Sequence, residues 1–515
     1  MNESLKERLK SASDSLLAFS LVNLCFIRAR WALFFDTDFR YYKHNSLTKE
    51  TLLALGLNLI LFGLIGWRLV RWVRRADSPN LYRVACVIVC ALLLIPADFL
   101  RVYLLHVPAG VVISARRNLI IGGSLVLLFV VWRWPRATAR VLAAGLMICV
   151  PMVVLTFGRI GYFLLNTPPR HTARFAPFFP TPQPSVEPRV VWIIFDELDQ
   201  RLAFSSRPKG THLPELDRLR TECLQATNAF PPGAATTVSM PALTTGRYVM
   251  SAKPAARDEL NITYADTNAP VGWSKQPTVF SGARELGFNT ALVGWYHPYT
   301  RLFMSSLNYS KWYPYPPYQP VQNETVLRSM YTQIWSLVSP LQQRWLQIDL
   351  YQKSEEDSRN VVKDGRYGLV FLHLPGPHYP GIYDPAKGDY TIMSFSRSQG
   401  YFQNLPLTDL TMGILRRDME QAGLWDRSWV IVSSDHWWRD ARGYDGQLDY
   451  HVPFILKAPG KNRPMIYNSP LNTVISKDLV LAILRKEVST LPDAVTWLDT
   501  HPAPPCPSYA VMMLQ

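Results

Sequence analysis

The sequence predicts an α/β sandwich carried behind an all-α bundle of five transmembrane helices. Three observations carry that prediction. The first is a change of character near residue 165: 48% of the 515 residues are hydrophobic and only 18% charged, and the long apolar runs precede this point. The second is the placing of the basic residues. The third is a set of short apolar runs after residue 189, each closed by acidic residues or histidines. A chain this long exceeds one core, so more than one domain is expected.

Apolar segments at 15–35, 51–69, 84–100, 118–132 and 141–157 each approach the roughly 20 residues that span the hydrocarbon core. Arg28 and Arg30 interrupt the first. It lacks a cleavage site, so it is expected to be a retained helix. The net charge is +15, but residues 1–165 hold 20 Lys/Arg against 8 Asp/Glu, and the rest 34 against 31. The basic excess therefore lies in the apolar half and argues against nucleic-acid binding. Lys6, Arg8 and Lys10, then Arg68, Arg71, Arg74, Arg75 and Arg83, then Arg133, Arg136 and Arg140 mark cytoplasmic loops. Five crossings then place everything after residue 165 outside the cytoplasm. Arg28, Arg30, Asp98, Arg101 and His106 fall near the outer leaflet and read as snorkelling side chains; the alternative is a grip on a lipid phosphate. Cys25, Cys86, Cys90 and Cys149 read as inert thiols in apolar runs. Cys223 and Cys506 are left as a possible pair.

The expected domains are a membrane part at 1–165, a linker at 166–189 and an extracytoplasmic domain at 190–515. Pro168, Pro169, Pro177, Pro180, Pro182, Pro184 and Pro188 exclude a single helix from the linker, which reads as a semi-rigid connector.

Residues 190–195, 368–372 and 429–432 are continuous apolar runs of the kind buried parallel strands show. Asp196-Glu197 follow the first, His373 and His378 the second, Ser433-Ser434-Asp435-His436 the third. In open α/β sheets ligands gather at the carboxyl ends of strands, so three strands deliver metal-ligand types to one edge. Helical patterns near 213–223, 281–286 and 407–422 intervene, giving the α/β alternation. A metal beside a hydroxyl is a device for attacking phosphorus or sulfur esters, because coordination lowers the hydroxyl's pKa. Asp196, Glu197, Asp435 and His436 supply oxygen and imidazole ligands, and His373, His378 and His451 could steady the charge of a transition state. His297 and Arg439 could line the pocket, but no spacing rule supports them. The aromatic run at 312–318 reads as a packed loop.

The hydroxyl is fixed by spacing. Counting back nine residues from Thr245-Gly246 reaches Thr236, and so does counting back three from Ser239-Met240-Pro241. These are the registers of a sulfatase nucleophile motif and of the nucleophile in lipid phosphoethanolamine transferases. The chain over roughly 189–490 therefore resembles the alkaline-phosphatase/sulfatase superfamily. With five preceding helices, the whole resembles bacterial phosphoethanolamine transferases and lipoteichoic-acid-synthase-like phosphoglycerol transferases. The resemblance implies an alkaline-phosphatase-like fold and a divalent metal, zinc first, with manganese or calcium as alternatives. That metal would be held by Thr236, Asp196 and/or Glu197, Asp435 and His436. His378 and His451, with His373 a weaker member, would meet the substrate phosphate or a second metal. His451-Val452-Pro453-Phe454-Ile455 resembles the strand that returns to the site.

The implied activity is transfer of a phospho-head group, phosphoethanolamine or phosphoglycerol, through a phospho-threonine intermediate. The implied donor is a membrane phospholipid and the acceptor an envelope glycan or lipid, such as lipopolysaccharide, on the periplasmic side of an inner membrane. Two departures bear on it. The soluble half has two cysteines where phosphoethanolamine transferases carry several disulfides, and Asp196-Glu197 stand where one Glu is usual. The alternatives are a membrane-anchored phosphodiesterase or sulfatase, and a non-catalytic envelope protein of the same fold. Thr236 speaks against a sulfatase, which matures a Cys or Ser.

Overall fold

The computed structural model describes residues 3–34, 42, 47–103, 122–166, 174–180, 188–267, 269–314, 325–394, 396–503 and 506. The chain divides into two compact units. One comprises Met1–Asp36, Asn45–Arg170 and Pro317–Gln342; the other comprises Thr37–His44, His171–Pro316 and Gln343–Gln515.

The first unit is helical: α1 (Glu3–Cys25), α2 (Ile27–Phe34), α3 (Lys49–Ala76), α4 (Pro79–Tyr103), α5 (Gly122–Arg133), α6 (Pro135–Ile148) and α7 (Val150–Asn166). Three stretches are long and apolar enough to cross a membrane: Lys49–Ala76, Pro79–Arg101 and Pro135–Asn166. The last contains the expected fifth crossing. α5 is apolar but short, and residues 118–121 of the expected fourth crossing lie outside the described residues. The expected first crossing is split between α1, which carries Arg8, Lys10 and Asp14, and α2, which has only 8 residues. Among the described residues the count is thus three, not five.

Three of the expected snorkelling side chains pair inside this unit. Arg28 is buried; its Nη2 lies 2.7 Å from Asp98 Oδ2, and its Nη1 donates to the Ser336 carbonyl at 3.0 Å. Arg101 bonds the other Asp98 oxygen at 2.6 Å. His106 lies outside the described residues. A helix from later in the chain, Val326–Trp335, also belongs here. Buried Asn58 of α3 donates to Gln333 Oε1 at 3.0 Å.

The second unit is built on a mixed eight-stranded sheet. Its strands are β1 (Arg189–Phe195), β2 (Leu224–Ala226), β3 (Thr290–Trp295), β4 (Tyr309–Tyr313), β5 (Leu369–Leu374), β6 (Ser428–Ser434), β7 (Phe454–Lys457) and β8 (Met465–Tyr467). The spatial order is β8-β2-β7-β6-β1-β5-β3-β4. β6, β1, β5, β3 and β4 run parallel, whereas β7 pairs antiparallel with both β6 and β2. β1, β5 and β6 are the three apolar runs expected as strands. They are apolar throughout because both faces are covered. Val190, Trp192 and Ile194 enter one core, with Phe371 and Ile431. Val191, Ile193 and Phe195 enter the other, with Leu372 and Val432. Burying each such side chain stabilises the fold by about 1.5–3 kcal/mol.

Helices Val279–Glu285 and Ser476–Leu484 contribute to the first core, and Pro214–Arg220 and Arg397–Gln421 to the second. This is an α/β sandwich, as expected, with an antiparallel strand inserted. Residues 174–180 of the expected linker lie on this unit. Ala176 N donates to Leu307 O at 2.8 Å, and the Arg284 guanidinium sits 3.7 Å above the Phe179 ring. Residues 167–173 and 181–187 are outside the described residues. Of the aromatic run, Trp312 is packed in β4, and residues 315–318 are outside them.

Candidate active site

Strand register assembles the site. Phe195 pairs with Ser434 on one side and Leu374 on the other, and Ile194 pairs with His373. The residues just beyond the first pair, Asp196 and Asp435, therefore emerge side by side. His373 is the penultimate residue of β5 and lies beside them. One ligand atom each from Asp196, His373 and Asp435 lies within 4.8 Å of the others, and all three residues are buried.

Thr236 reaches this cluster from another direction. It is the first residue of the helix Thr236–Thr245, whose cap, Ala235, is extended. The spacing that locates Thr236 is the length of this helix: Gly246 ends it at φ 71°, a conformation that favours glycine. Gly233 sits against the first turn, where a Cβ would come within 2.7 Å of Val238 Cγ2. The Thr236 hydroxyl donates to Asp196 Oδ2 at 3.4 Å and lies 3.3 Å from His436 Nε2. The helix N-terminus beneath it favours negative charge on that oxygen. Thr237 points elsewhere, its hydroxyl 2.9 Å from Tyr296 Oη.

His436 is fully buried, and its Nδ1 donates to the Trp437 carbonyl at 2.8 Å. Nε2 is then the lone-pair nitrogen. It lies 3.4 Å from Asp435 Oδ2 and 3.8 Å from Asp196 Oδ1. Burial, with Arg439 adding to it, pushes the ring down to about 3, so it is neutral. Burial likewise pushes His373 down to about 4, and its Nδ1 meets Tyr299 Oη at 2.9 Å. Asp196 is held well above the carboxylate range, by burial first and then by Asp435 and Glu197. Asp196 Oδ1, Asp435 Oδ2 and His373 Nε2 are buried without a hydrogen-bond partner. Three converging orphan ligand atoms in a site of surplus carboxylates fit a divalent cation.

The other expected residues stand further out. Glu197 has φ 64° and donates its N–H to Asp435 Oδ1 at 3.2 Å, while Oε1 accepts from Arg439 Nε at 3.3 Å. Its carboxylate thus serves Arg439, and Asp196 is the better-placed ligand. His378 packs against Trp295, ring centroids 5.2 Å apart, and is close enough to lower the pKa of His373 and His436. His451 has both ring nitrogens engaged, Nδ1 by Asp449 and Nε2 by Asn228 at 3.0 Å. The expected order of these histidines is thus reversed: His373 is nearest the cluster. Tyr296 and Tyr299 are additions, and Arg439 and His297 are present as the pocket candidates that no spacing rule supports. All but Arg439 follow β3, whose apolar run at 290–295 was the available signal. Cys223 is buried and Cys506 exposed, and no disulfide joins the two.

A family model described as Sulfatase matches residues 188–485, more than half of the chain. The chain belongs to the sulfatase family. The chain is 23% identical over 355 residues to the ulvan-active sulfatase of Formosa agariphila, covering 61% of this chain and 64% of that protein. The chain therefore spans less than two thirds of that relative. A protein in the alkaline phosphatase superfamily from Vibrio parahaemolyticus is similar at 16% identity, with 60% of this chain and 69% of that one covered and a TM-score of 0.38. For a phosphonate monoester hydrolase from Silicibacter pomeroyi the figures are 13%, 58%, 73% and 0.38. The sulfatase superfamily is one of metal-binding enzymes, and the buried triad is where a metal fits here.

Proposed function

We propose that this sulfatase-family protein is a metal-dependent phosphotransferase of a bacterial inner membrane, with Thr236 as nucleophile. The observation that carries the reading is the hydroxyl of Thr236 held 3.4 Å from Asp196 Oδ2 and 3.3 Å from His436 Nε2, above three orphaned ligand atoms. Asp196, Asp435, His436 and His373 would hold the cation with Thr236. Two imidazoles favour zinc or manganese over calcium, which prefers oxygen. When bound, the cation would lower the hydroxyl's pKa and neutralise charge on the transferring group.

The donor is a phospholipid. Thr236 Oγ1 forms a bond to its phosphorus as the bond to the diacylglycerol oxygen breaks. The threonine proton passes toward Asp196 Oδ2, and the departing alkoxide takes a proton, a role we assign to His378. An envelope glycan or lipid hydroxyl then attacks the phospho-threonine, restores the Thr236 hydroxyl and completes a ping-pong cycle. A membrane anchor with the α/β unit outside the cytoplasm would keep the site at a high local concentration of lipid.

A second reading is hydrolysis of a sulfate or phosphate ester, favoured by the ulvan-active sulfatase. Incubation with head-group-labelled phospholipid separates the two. Transfer yields diacylglycerol and a labelled acceptor; hydrolysis yields free head group and overturns the transferase reading.

A further inference from the structure

Behind the nucleophile lies a pair of rings that no motif connects. His297 Nε2 is 3.1 Å from the carbonyl oxygen of Thr236, and Tyr42 Oη is 2.9 Å from His297 Nδ1. Both side chains are fully buried. Trp273 packs edge-on against the imidazole, ring centroids 5.0 Å apart. Tyr42 precedes His297 by 255 residues and stands between α2 and α3 in sequence, yet it belongs to the α/β unit.

A carbonyl only accepts, so Nε2 of His297 carries the hydrogen. In the neutral ring Nδ1 then accepts, and the Tyr42 hydroxyl donates. The chain of donors has one direction: Tyr42 to His297, His297 to the Thr236 backbone. With the Tyr42 hydroxyl gone, Nδ1 loses its donor and only the Thr236 carbonyl still favours this tautomer. In the other tautomer a lone pair would face the Thr236 carbonyl and push the peptide away. The Thr236 side chain would turn with it and leave its place between Asp196 and His436.

We propose that Tyr42 and His297 are positioning residues for Thr236. They lock the first peptide of its helix, so that a residue from the helical half of the sequence sets the aim of the hydroxyl. This rests on Thr236 being the nucleophile. Neither ring touches the reacting atoms, so the effect falls on the rate of attack and spares binding. Displacing a reacting group by an ångström costs on the order of 100-fold in rate.

The test uses the full-length protein in detergent with the divalent metal added. Its probe is bis(4-nitrophenyl) phosphate, or 4-nitrophenyl sulfate if the parent prefers it. Four variants are compared: Tyr42→Phe, His297→Gln, His297→Phe and Thr236→Ala. Tyr42→Phe keeps the buried ring and should lower kcat about 10- to 100-fold with KM within about twofold. His297→Gln keeps an N–H for the carbonyl and should retain several-fold more kcat than His297→Phe. Thr236→Ala should be inactive. Tyr42→Phe and His297→Phe both within twofold of the parent, beside an inactive Thr236→Ala, would overturn the positioning role and leave the nucleophile standing. A loss confined to KM, or no advantage of Gln over Phe at position 297, would also overturn it. Turnover by Thr236→Ala would instead overturn the nucleophile itself.

Discussion

Replacing Asp435 by Asn gives opposite signs with and without metal. Asp435 Oδ1 accepts from the backbone N–H of His436 at 2.9 Å and of Glu197 at 3.2 Å, and Asn can keep both bonds. Oδ2 is the orphaned atom, so the substitution changes mainly the charge offered to a cation. Asp196 and Asp435 offer oxygens within 4.8 Å of each other. At an effective dielectric near 20 that repulsion is roughly 3 kcal/mol, and with burial it holds the Asp196 carboxyl above its usual range. The metal-free variant should therefore melt no lower than the parent, and higher by up to about 1 kcal/mol. The metal-bound comparison runs the other way. A cation at about 100 times its Kd stabilises the parent by about 2.7 kcal/mol, or roughly 3–5 °C in a unit of this size. Loss of a charged ligand that weakens binding by about 100-fold leaves under about 0.5 kcal/mol of that increment. Thermal scans of the purified protein, stripped with chelator and reloaded with zinc or manganese, read both signs. A variant that melts lower without metal and keeps the full metal-induced rise would refute the ligand assignment and make Asp435 a structural residue.

Two further predictions use the same preparation. His373→Gln should lower kcat by about 100-fold or more, because Nε2 faces the ligand cluster, whereas His451→Gln should cost under about 10-fold, since Asp449 and Asn228 engage that ring; steady-state kinetics on one probe ester decide, and equal effects would contradict the placement. Metal affinity should rise as pH climbs above the usual carboxylate range. Asp196, held above its usual range, must shed a proton to bind, while His373 near 4 and His436 near 3 are already neutral there. Calorimetry in buffers of different ionisation enthalpy would show proton release on binding, and an affinity flat from pH 5 to 8 would count against it.

The central strands were legible because burial on both faces leaves an unbroken apolar run, and β1, β5 and β6 each show one. Their parallel register converts those runs into a site, so Asp196, Asp435 and His436 could be read from position alone. Thr236 was legible because its distance to Gly246 is the length of one helix. The ranking of the histidines was not. His373 lies within β5 and His451 beside Asp449, and only pairing and side-chain direction distinguish a ring facing the cluster from one tied up elsewhere. The Tyr42–His297 contact was invisible for a related reason: it joins residues 255 apart through packing, which leaves no periodic trace. The first crossing was the least legible, because apolar composition there continues through charged positions and a helix break between α1 and α2.

The most direct measurement is mass spectrometry of the metal-loaded protein, digested after brief exposure to phospholipid and acid quench. The account predicts a phospho-head-group adduct on the peptide bearing Thr236, absent from Thr236→Ala and from protein held in chelator. An adduct on a different residue, or Thr236→Ala turning over lipid at the parental rate, would contradict it.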